Sequence, residues 1–157
     1  MSSGRFTTRP ELAGTFGMVA STHWLASAAG MAVLEKGGNA FDAAVAAGLV
    51  LQVVEPHNCG PAGEVPVIGF AAGADAPFVL DGQGPAPAAA SLDVFAALGL
   101  DLVPGTGLLA ACVPAAFGTW LLLLRDYGTL RPRDVIDRKS TRLNSNHSDL
   151  SRMPSSA

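Results

Sequence analysis

The sequence predicts a mixed α/β protein, of the α+β kind, in which helices rich in small side chains pack beside a short β-hairpin. Two apolar stretches of helical character, from Trp24 to Leu34 and from Ala43 to Val54, are separated by a glycine pair. Two short apolar runs then flank a Gly-Ala-Asp turn, a pattern typical of a hairpin. A chain of 157 residues with 49% hydrophobic and 15% charged residues can fill one core, largely with Ala and Gly.

A short strand over Phe16–Ala20 is the first predicted element, and a helix follows it. Ser21 or Thr22 can cap this helix, because a hydroxyl oxygen accepts one of the first-turn N–H groups that lack partners inside a helix. The adjacent Ser21, Thr22 and His23 also carry groups found in catalytic sites, but a helix cap beside a surface histidine is the simpler interpretation. Gly37 suits the left-handed position just past the helix end.

Asn39 begins a second predicted helix, since an asparagine side chain is a good N-cap. Asp42 falls in the first turn, where a negative charge is favourable beside the positive end of the helix dipole. From Ala43 to Val54 the helix is apolar on almost every side, which indicates burial on most faces. Pro56 ends it, because proline lacks the backbone N–H that a helix needs.

The second half of the chain alternates short apolar segments with turns. Strands over Val65–Ala71 and Pro77–Asp81 flank Gly73-Ala74-Asp75 and predict a β-hairpin. The later predicted elements are a helix over Ala88–Leu98, a strand over Leu108–Val113, and a helix over Ala115–Tyr127 with Pro114 at its first position. Pro132 is placed to start a further helix, but the pattern stops soon afterwards.

The composition divides the chain into three parts, of which only the middle one is expected to fold. Residues 1–14 are predicted to be a flexible N-terminus, and residues 15–136 form one predicted domain. Residues 137–157 are polar and show no hydrophobic period, so we expect a disordered tail. The start of this tail, residues 138–145, resembles translated adapter or vector sequence, which indicates a non-native tail. A native disordered tail is the alternative.

The charge and hydropathy exclude several classes of function. The formal net charge is −3 and no basic stripe occurs, so a nucleic-acid partner has no electrostatic footprint in the sequence. The longest apolar runs are far shorter than the ~20 residues of a membrane-spanning helix. No secretory signal is visible. We therefore expect a cytoplasmic chain that has neither nucleic acid nor membrane as a partner.

The two cysteines, Cys59 and Cys112, are too few to indicate a disulfide framework. Cys59 shares a loop with His57, a combination that could serve a metal or a nucleophilic reaction. One histidine and one cysteine are an incomplete ligand set, so a small loop residue is the simpler interpretation. Cys112 lies in an apolar run and is expected to be buried. No metal or cofactor is predicted.

Several motifs occur in a characteristic order along the chain. They are Gly17-Met18-Val19-Ala20-Ser21, Gly37-Gly38-Asn39-Ala40 followed by Asp42-Ala43-Ala44, Val54-Glu55-Pro56-His57, Leu80-Asp81 followed by Ala86-Pro87, and Cys112-Val113-Pro114. Over about residues 17–136, their order and spacing resemble the N-terminal part of the large subunit of the γ-glutamyltranspeptidase family.

The resemblance implies a partial N-terminal-nucleophile hydrolase fold, with two sheets between helical layers (αββα) and incomplete sheets in this chain. Members of the family cut their own precursor before a threonine, whose α-amine and hydroxyl then move a γ-glutamyl group to water or an amino acid. That threonine lies in the small subunit, and no residue here matches it. The resemblance thus implies a chain that is inactive as encoded, without catalytic residues of its own. Its implied partners are the missing small subunit and a γ-glutamyl or acyl-amide substrate of the intact parent.

Gln83 is the one candidate substrate-binding residue that the resemblance provides. Many family members have an arginine between the Leu-Asp and Ala-Pro motifs, where a guanidinium holds the α-carboxylate of the substrate. A neutral amide can hydrogen-bond a carboxylate but supplies no compensating charge. The glycine-rich loop also departs from the family pattern, at Gly60–Pro66. Both changes imply a divergent branch that acts on another γ-glutamyl or acyl amide. An exposed loop residue is the alternative for Gln83.

Two other classes of function stay open from the residues alone. A nucleotide- or small-molecule-binding α/β module would hold an anion at a Gly-rich turn before a helix. Neither Gly-x-Gly-x-x-Gly nor Gly-x-x-x-x-Gly-Lys-Ser/Thr occurs in the sequence. A non-catalytic interaction protein would instead offer the apolar helix that begins at Asn39 to a partner chain.

Overall fold

The computed structural model describes residues 11–136, so the expectations for residues 1–10 and 137–157 fall outside the described part. Four α-helices, a two-stranded hairpin and one 3₁₀ turn occur in that part. In chain order they are α1 (Trp24–Glu35), α2 (Ala40–Val54), β1 (Val67–Gly69), β2 (Phe78–Leu80), α3 (Leu92–Ala97), the 3₁₀ turn (Leu108–Ala110) and α4 (Ala116–Tyr127). Residues 132–136 are also helical. The mixed helix-and-sheet class predicted from the sequence is confirmed, with a small sheet.

The link between α1 and α2 follows the sequence prediction at its glycines. Gly37 adopts a φ of 88°, in the left-handed region that favours glycine. Its N–H donates to the Leu34 carbonyl, and the Gly38 N–H donates to the Val33 carbonyl, both at 3.0 Å. These two bonds form a Schellman motif, which satisfies the last carbonyls of α1 and turns the chain towards α2.

The start of α1 differs from the prediction, because His23 rather than Ser21 or Thr22 is the N-cap. The Nδ1 atom of His23 accepts from the Leu25 N–H at 3.2 Å. The Ser21 hydroxyl donates instead to the His23 carbonyl at 2.8 Å. Thr22 donates to a Glu55 carboxylate oxygen at 2.6 Å. Both hydroxyls are therefore used in contacts that hold the segment before α1.

The start of α2 is a capping box, in which Asn39 is the N-cap that the sequence predicts and Asp42 is its reciprocal partner. The Asn39 side-chain oxygen accepts from the N–H groups of Phe41 and Asp42, at 2.9 and 3.0 Å. The Asp42 carboxylate accepts from the Asn39 N–H at 2.9 Å. Reciprocal bonds of this kind satisfy donors that the first turn of a helix leaves free.

The core lies where α2 packs between α1 and α4. The main cluster of buried apolar side chains consists of Val33, Ala43, Val45, Ala46, Leu49, Leu123, Leu124 and Val135. The small face of α2 allows close approach: a Cβ on Gly48 would overlap the indole of Trp120 from α4. The prediction that α2 is buried on most faces is confirmed.

The hairpin pairs Val67 with Leu80 and Gly69 with Phe78 in antiparallel register. Its inner face rests on an aromatic cluster, in which the Phe78 and Tyr127 rings stack at 3.9 Å between centroids. Phe41 packs against both rings at a tilt. Each strand has three residues, fewer than the sequence predicts.

Two predicted strands are absent from the described part, over Phe16–Ala20 and over Leu108–Val113. The first segment has no regular secondary structure, and the second contains the 3₁₀ turn. A strand needs a ladder of hydrogen bonds to a neighbour. Among residues 11–136 the first segment makes no such bond, and the second makes a single one, from the Val113 N–H to the Pro85 carbonyl. As a consequence Cys112 is exposed, so the expectation that it is buried was wrong.

Two helix starts also lie later than expected. α3 begins at Leu92, with Ser91 as its N-cap, rather than at Ala88. α4 begins at Ala116 with Ala115 as N-cap, so Pro114 precedes the helix instead of occupying its first position. The Gly63 carbonyl accepts from the N–H groups of Ala115 and Ala116, at 3.3 and 2.9 Å. A backbone carbonyl that is distant in sequence therefore accepts the hydrogen bonds that a capping side chain would accept elsewhere.

Candidate functional site

Three segments that are far apart in sequence meet around Gln83, and we call this region the loop junction (residues 62–65, 81–85 and 112–116). The Val65 N–H donates to the Gly82 carbonyl at 3.0 Å. The Val113 N–H donates to the Pro85 carbonyl, also at 3.0 Å. Together with the Gly63 carbonyl at the start of α4, these bonds tie the hairpin end to the loop before α4.

Glycines on both sides of Gln83 make this close approach possible. A Cβ on Gly82 would overlap the Val65 carbonyl, and a Cβ on Gly84 would overlap the Val113 carbonyl. No side chain larger than hydrogen fits at either position without moving the backbone. The glycines thus fix the path of the loop and hold Gln83 between two backbone contacts.

Gln83 itself is exposed. Its backbone N–H donates to the Asp81 carboxylate at 3.2 Å, a contact that shapes the turn. Its side-chain amide has no hydrogen-bond partner among the described residues. The residue predicted from the sequence therefore lies at a surface position.

A small pocket of about 170 Å³ opens at the loop junction. It is lined by Ala62, Gly63, Glu64, Gly84, Cys112 and Val113. Glu64 is the one charged residue of this lining, and its side chain is exposed. The sequence shows an unusual loop at Gly60–Pro66 but does not single out Glu64, because only the fold brings Glu64 beside Gly84 and Cys112.

A larger cavity of about 490 Å³ lies between the segment before α1 and the small face of α2. Met18, Val19, Gly48, Leu51 and Trp120 contribute to its mostly apolar lining. The Nε1 atom of Trp120 is buried and has no hydrogen-bond partner in the described structure. A buried indole N–H normally has an acceptor, so this donor marks a position where an acceptor from elsewhere would be favourable.

Asp42 forms a buried polar network at the opposite end of α2. Its side chain is fully buried and accepts from the Thr129 hydroxyl at 2.7 Å and from the Leu130 N–H at 3.1 Å. The Thr129 N–H also donates to it, at 3.0 Å. The Asn39 amide donates to the Tyr127 carbonyl at 2.7 Å. This network joins the start of α2 to the end of α4.

Burial alone would raise the pKa of Asp42, but the hydrogen bonds outweigh it. The Thr129 hydroxyl and the N–H groups of Asn39, Leu130 and Thr129 all favour the ionised carboxylate. The pKa of Asp42 is therefore held below its ordinary value. Thr129 was missed in the sequence, since nothing local distinguishes it from a turn residue.

The Cys59 and His57 loop shows no catalytic or metal-binding arrangement. The Cys59 thiol donates to the Glu55 carbonyl at 3.6 Å. Burial, and then the negative charge of Glu55, raise the pKa of Cys59, which disfavours a reactive thiolate. Across residues 11–136, no three His, Cys, Asp or Glu side chains group as metal ligands would. None of the helices in that range is long and apolar enough to cross a membrane.

Comparison with known proteins gives consistent similarities. The family model for γ-glutamyltranspeptidase matches residues 26–143. The glutathione hydrolase-like YwrD proenzyme of Bacillus subtilis (strain 168) is 40% identical over 125 residues, which are 79% of this chain and 23% of the relative. The acylase ACY 1 proenzyme of Pseudomonas sp. (strain V22) is 37% identical over 133 residues, 78% of this chain and 24% of the relative. The solved structure of LmbA2991HD is 63% identical, with a TM-score of 0.77, over 85% of this chain and 23% of its own.

The matched transpeptidase, hydrolase and acylase proenzymes are N-terminal-nucleophile hydrolases, and that is the class which the fold and the similarities define. Within it, the chain belongs to the γ-glutamyltranspeptidase family, as its motifs predict. The chain spans about a quarter of the length of these relatives. The family match runs to residue 143, and none of the similarities supports an adapter-like origin for residues 137–157.

Proposed function

We propose that this chain forms the first part of the large subunit of an acyl-transfer enzyme, and that it positions the acyl donor rather than attacking it. The observation that supports this proposal is the loop junction, whose backbone contacts fix the loop that carries Gln83. The motif resemblance alone aligns Gln83 with the arginine that many family members use for substrate. The attacking threonine would come from the part of the family fold that this chain does not match. The reaction proposed for the intact parent is transfer of a γ-glutamyl or related acyl group to water or an amino acid.

The unpaired segment before α1 supports the idea that further strands complete the αββα sandwich. Burial alternates along residues 17–22, as in a strand with one face packed on helices. Val19 lies close to Gly30 of α1, whereas Met18 on the other face is exposed. No backbone hydrogen bond joins residues 16–20 to another described segment. A strand laid beside this segment would enter the 490 Å³ cavity, where it could supply an acceptor to Trp120.

Activity of the purified chain tests the division of roles. We expect no hydrolysis of a chromogenic γ-glutamyl anilide, because no residue of the chain matches the nucleophile and no acyl-enzyme can form. As the positive control, the chain is co-expressed with the part of a longer relative that it does not match, and release of the chromogenic aniline is expected. Turnover by the chain alone, surviving repurification from a host that lacks its own transpeptidase, would contradict the proposal.

Gln83 gives a sharper test in the intact parent. Gln83→Arg should raise kcat/KM about tenfold for γ-glutamyl donors, since a charge-assisted contact to the α-carboxylate would replace a neutral one. The control is a donor that lacks the α-carboxylate, which should gain nothing. Equal changes for both donors would show that Gln83 does not face the carboxylate, although the acyl-transfer activity would stand.

A further inference from the structure

Positive charge is absent from the long central part of the sequence. Between Lys36 and Arg125 there is neither a lysine nor an arginine. The arginines that follow lie at the end of α4 and beyond it, where Arg125 pairs with Asp126 and Arg131 pairs with Asp134. Among residues 11–136, no lysine, arginine or histidine lines the pocket at the loop junction. A carboxylate brought to that pocket would find no compensating cation in the lining that these residues form.

Negative charge, by contrast, is present at that pocket. Glu64 lines it, and no hydrogen bond or ion pair within the described residues engages its carboxylate. The neighbouring Gln83 offers a neutral amide on the same fixed loop, one residue from the Gly84 lining. An anionic group beside a neutral hydrogen-bonding group attracts a cation and repels a carboxylate.

We propose that the pocket at the loop junction binds a cationic amine of the acyl donor, with Glu64 as its anionic partner. The identity of the ligand as an acyl donor rests on the proposed function, whereas the charge preference of the pocket does not. A cavity of about 170 Å³ has room for a group of a few heavy atoms, such as an aminoalkyl end. Glu64 therefore favours acyl amides that carry an amine over donors that are recognised by a free carboxylate.

Cys112 provides a reporter inside the pocket, because it is exposed and belongs to the lining. Two methanethiosulfonates of similar size, one carrying a trimethylammonium and one a sulfonate, can be reacted with the Cys59→Ser chain. In each case the Cys112 thiolate attacks the sulfenyl sulfur, a disulfide forms and methanesulfinate leaves. The ratio of the two rates, divided by the same ratio in urea, measures the local charge preference.

We expect the cationic reagent to be favoured about fivefold in the folded chain, the effect of one nearby charge in a partly solvated site. Glu64→Gln should remove most of this preference. Asp75→Asn is the matched control, since it removes one negative charge at the hairpin turn but does not line the pocket. A normalised ratio near one, a preference for the sulfonate, equal effects of the two variants, or a Cys112 that reacts with neither reagent would each overturn the proposal.

Donor choice in the intact parent links this preference to catalysis. The matched donors are a 4-aminobutyryl anilide, which has the amine alone, and a glutaryl anilide, which has the carboxylate alone. We expect higher kcat/KM for the aminobutyryl donor, and loss of that advantage in Glu64→Gln. Preference for the glutaryl donor would contradict the amine site. A parent that turns over no acyl anilide at all would contradict the proposed function instead, while the reagent ratios at Cys112 would still decide the pocket's charge preference.

Discussion

The helical part of the molecule (α1, α2 and α4) and the loop-rich part (residues 60–115) are stabilised in different ways. In the helical part, Val33, Val45 and Leu123 are fully buried, and polar side chains complete the ends of the helices. In the loop-rich part, Phe95 is the one buried hydrophobic side chain among the described residues. Ile68 and Val79 on the outer face of the hairpin are 76% and 68% exposed.

Backbone contacts take the place of a core in the loop-rich part. The loop junction is held by hydrogen bonds between main-chain groups and by the close approach of Gly82 and Gly84 to neighbouring carbonyls. Such contacts specify a path for the chain but bury little apolar area, which is the main source of stability in a folded domain. We infer that the helical part sets the stability of the chain, while the loop-rich part contributes less to it.

Removal of the Asp42 carboxylate is the strongest test of this difference. Asp42→Ala should lower the free energy of unfolding by about 3 kcal/mol, because several buried donors of α2 and of the turn after α4 lose their acceptor. Urea denaturation followed by circular dichroism measures the change. Asp93→Ala, at an exposed position in the first turn of α3, is the matched control and should cost less than 1 kcal/mol. Equal losses would show that the two parts do not differ as inferred.

Acidic pH should lower the free energy of unfolding, because it protonates the Asp42 carboxylate. The folded pKa of Asp42 lies below its ordinary value of 3.8. Its contribution to stability is therefore complete above that ordinary value and is lost as the pH falls through the lower, folded pKa. We expect the urea midpoint of the natural chain to fall over this acid range more steeply than that of Asp42→Asn. Parallel curves from pH 6 to pH 2 would show that Asp42 is not the group responsible.

The same division separates what could be read from the sequence from what could not. Gly37, Asn39 and Asp42 predicted the end of α1 and the start of α2 correctly, because a Schellman motif and a capping box are built from residues a few positions apart. The bond from Thr129 to Asp42 joins residues 87 positions apart. No local pattern could have indicated it.

The two absent strands and the pocket illustrate the same limit. The apolar runs near Val19 and Leu109 have strand-like composition, but a strand forms only with a neighbour that the sequence of one segment cannot specify. The contacts of Gly82 with Val65 and of Gly84 with Val113 depend on three converging segments. Gln83 was found through its motif, and Glu64 required the fold.

Replacing two glycines of the helical part by alanine should change the stability of the chain by smaller amounts of opposite sign. Gly37→Ala should destabilise the chain by about 1 kcal/mol, since the left-handed φ of 88° is unfavourable for a residue with a Cβ. Gly118→Ala should stabilise it by about 0.5–1 kcal/mol, because this glycine lies in α4 with open space beside it and alanine has the higher helix propensity. Thermal unfolding of both variants measures the signs. A loss of stability in Gly118→Ala would contradict the open space beside this glycine.

The smallest effect is expected on the outer face of the hairpin. Val79→Thr keeps the β-branched shape, and the side chain is 68% exposed, so the free energy of unfolding should change by less than 0.5 kcal/mol. Val33→Thr places the same hydroxyl in a fully buried site of α1 and should cost about 2 kcal/mol.

Because Ile68 lies opposite Val79 in the register, the hydroxyl of Val79→Thr also interrupts an exposed apolar pair. Binding of a hydrophobic dye to the folded chain should therefore decrease in Val79→Thr and stay unchanged in Asp75→Asn at the hairpin turn. A loss of stability in Val79→Thr as large as that in Val33→Thr would mean that the outer face is already covered, and the distinction between a self-sufficient helical part and an open loop-rich part would fail there.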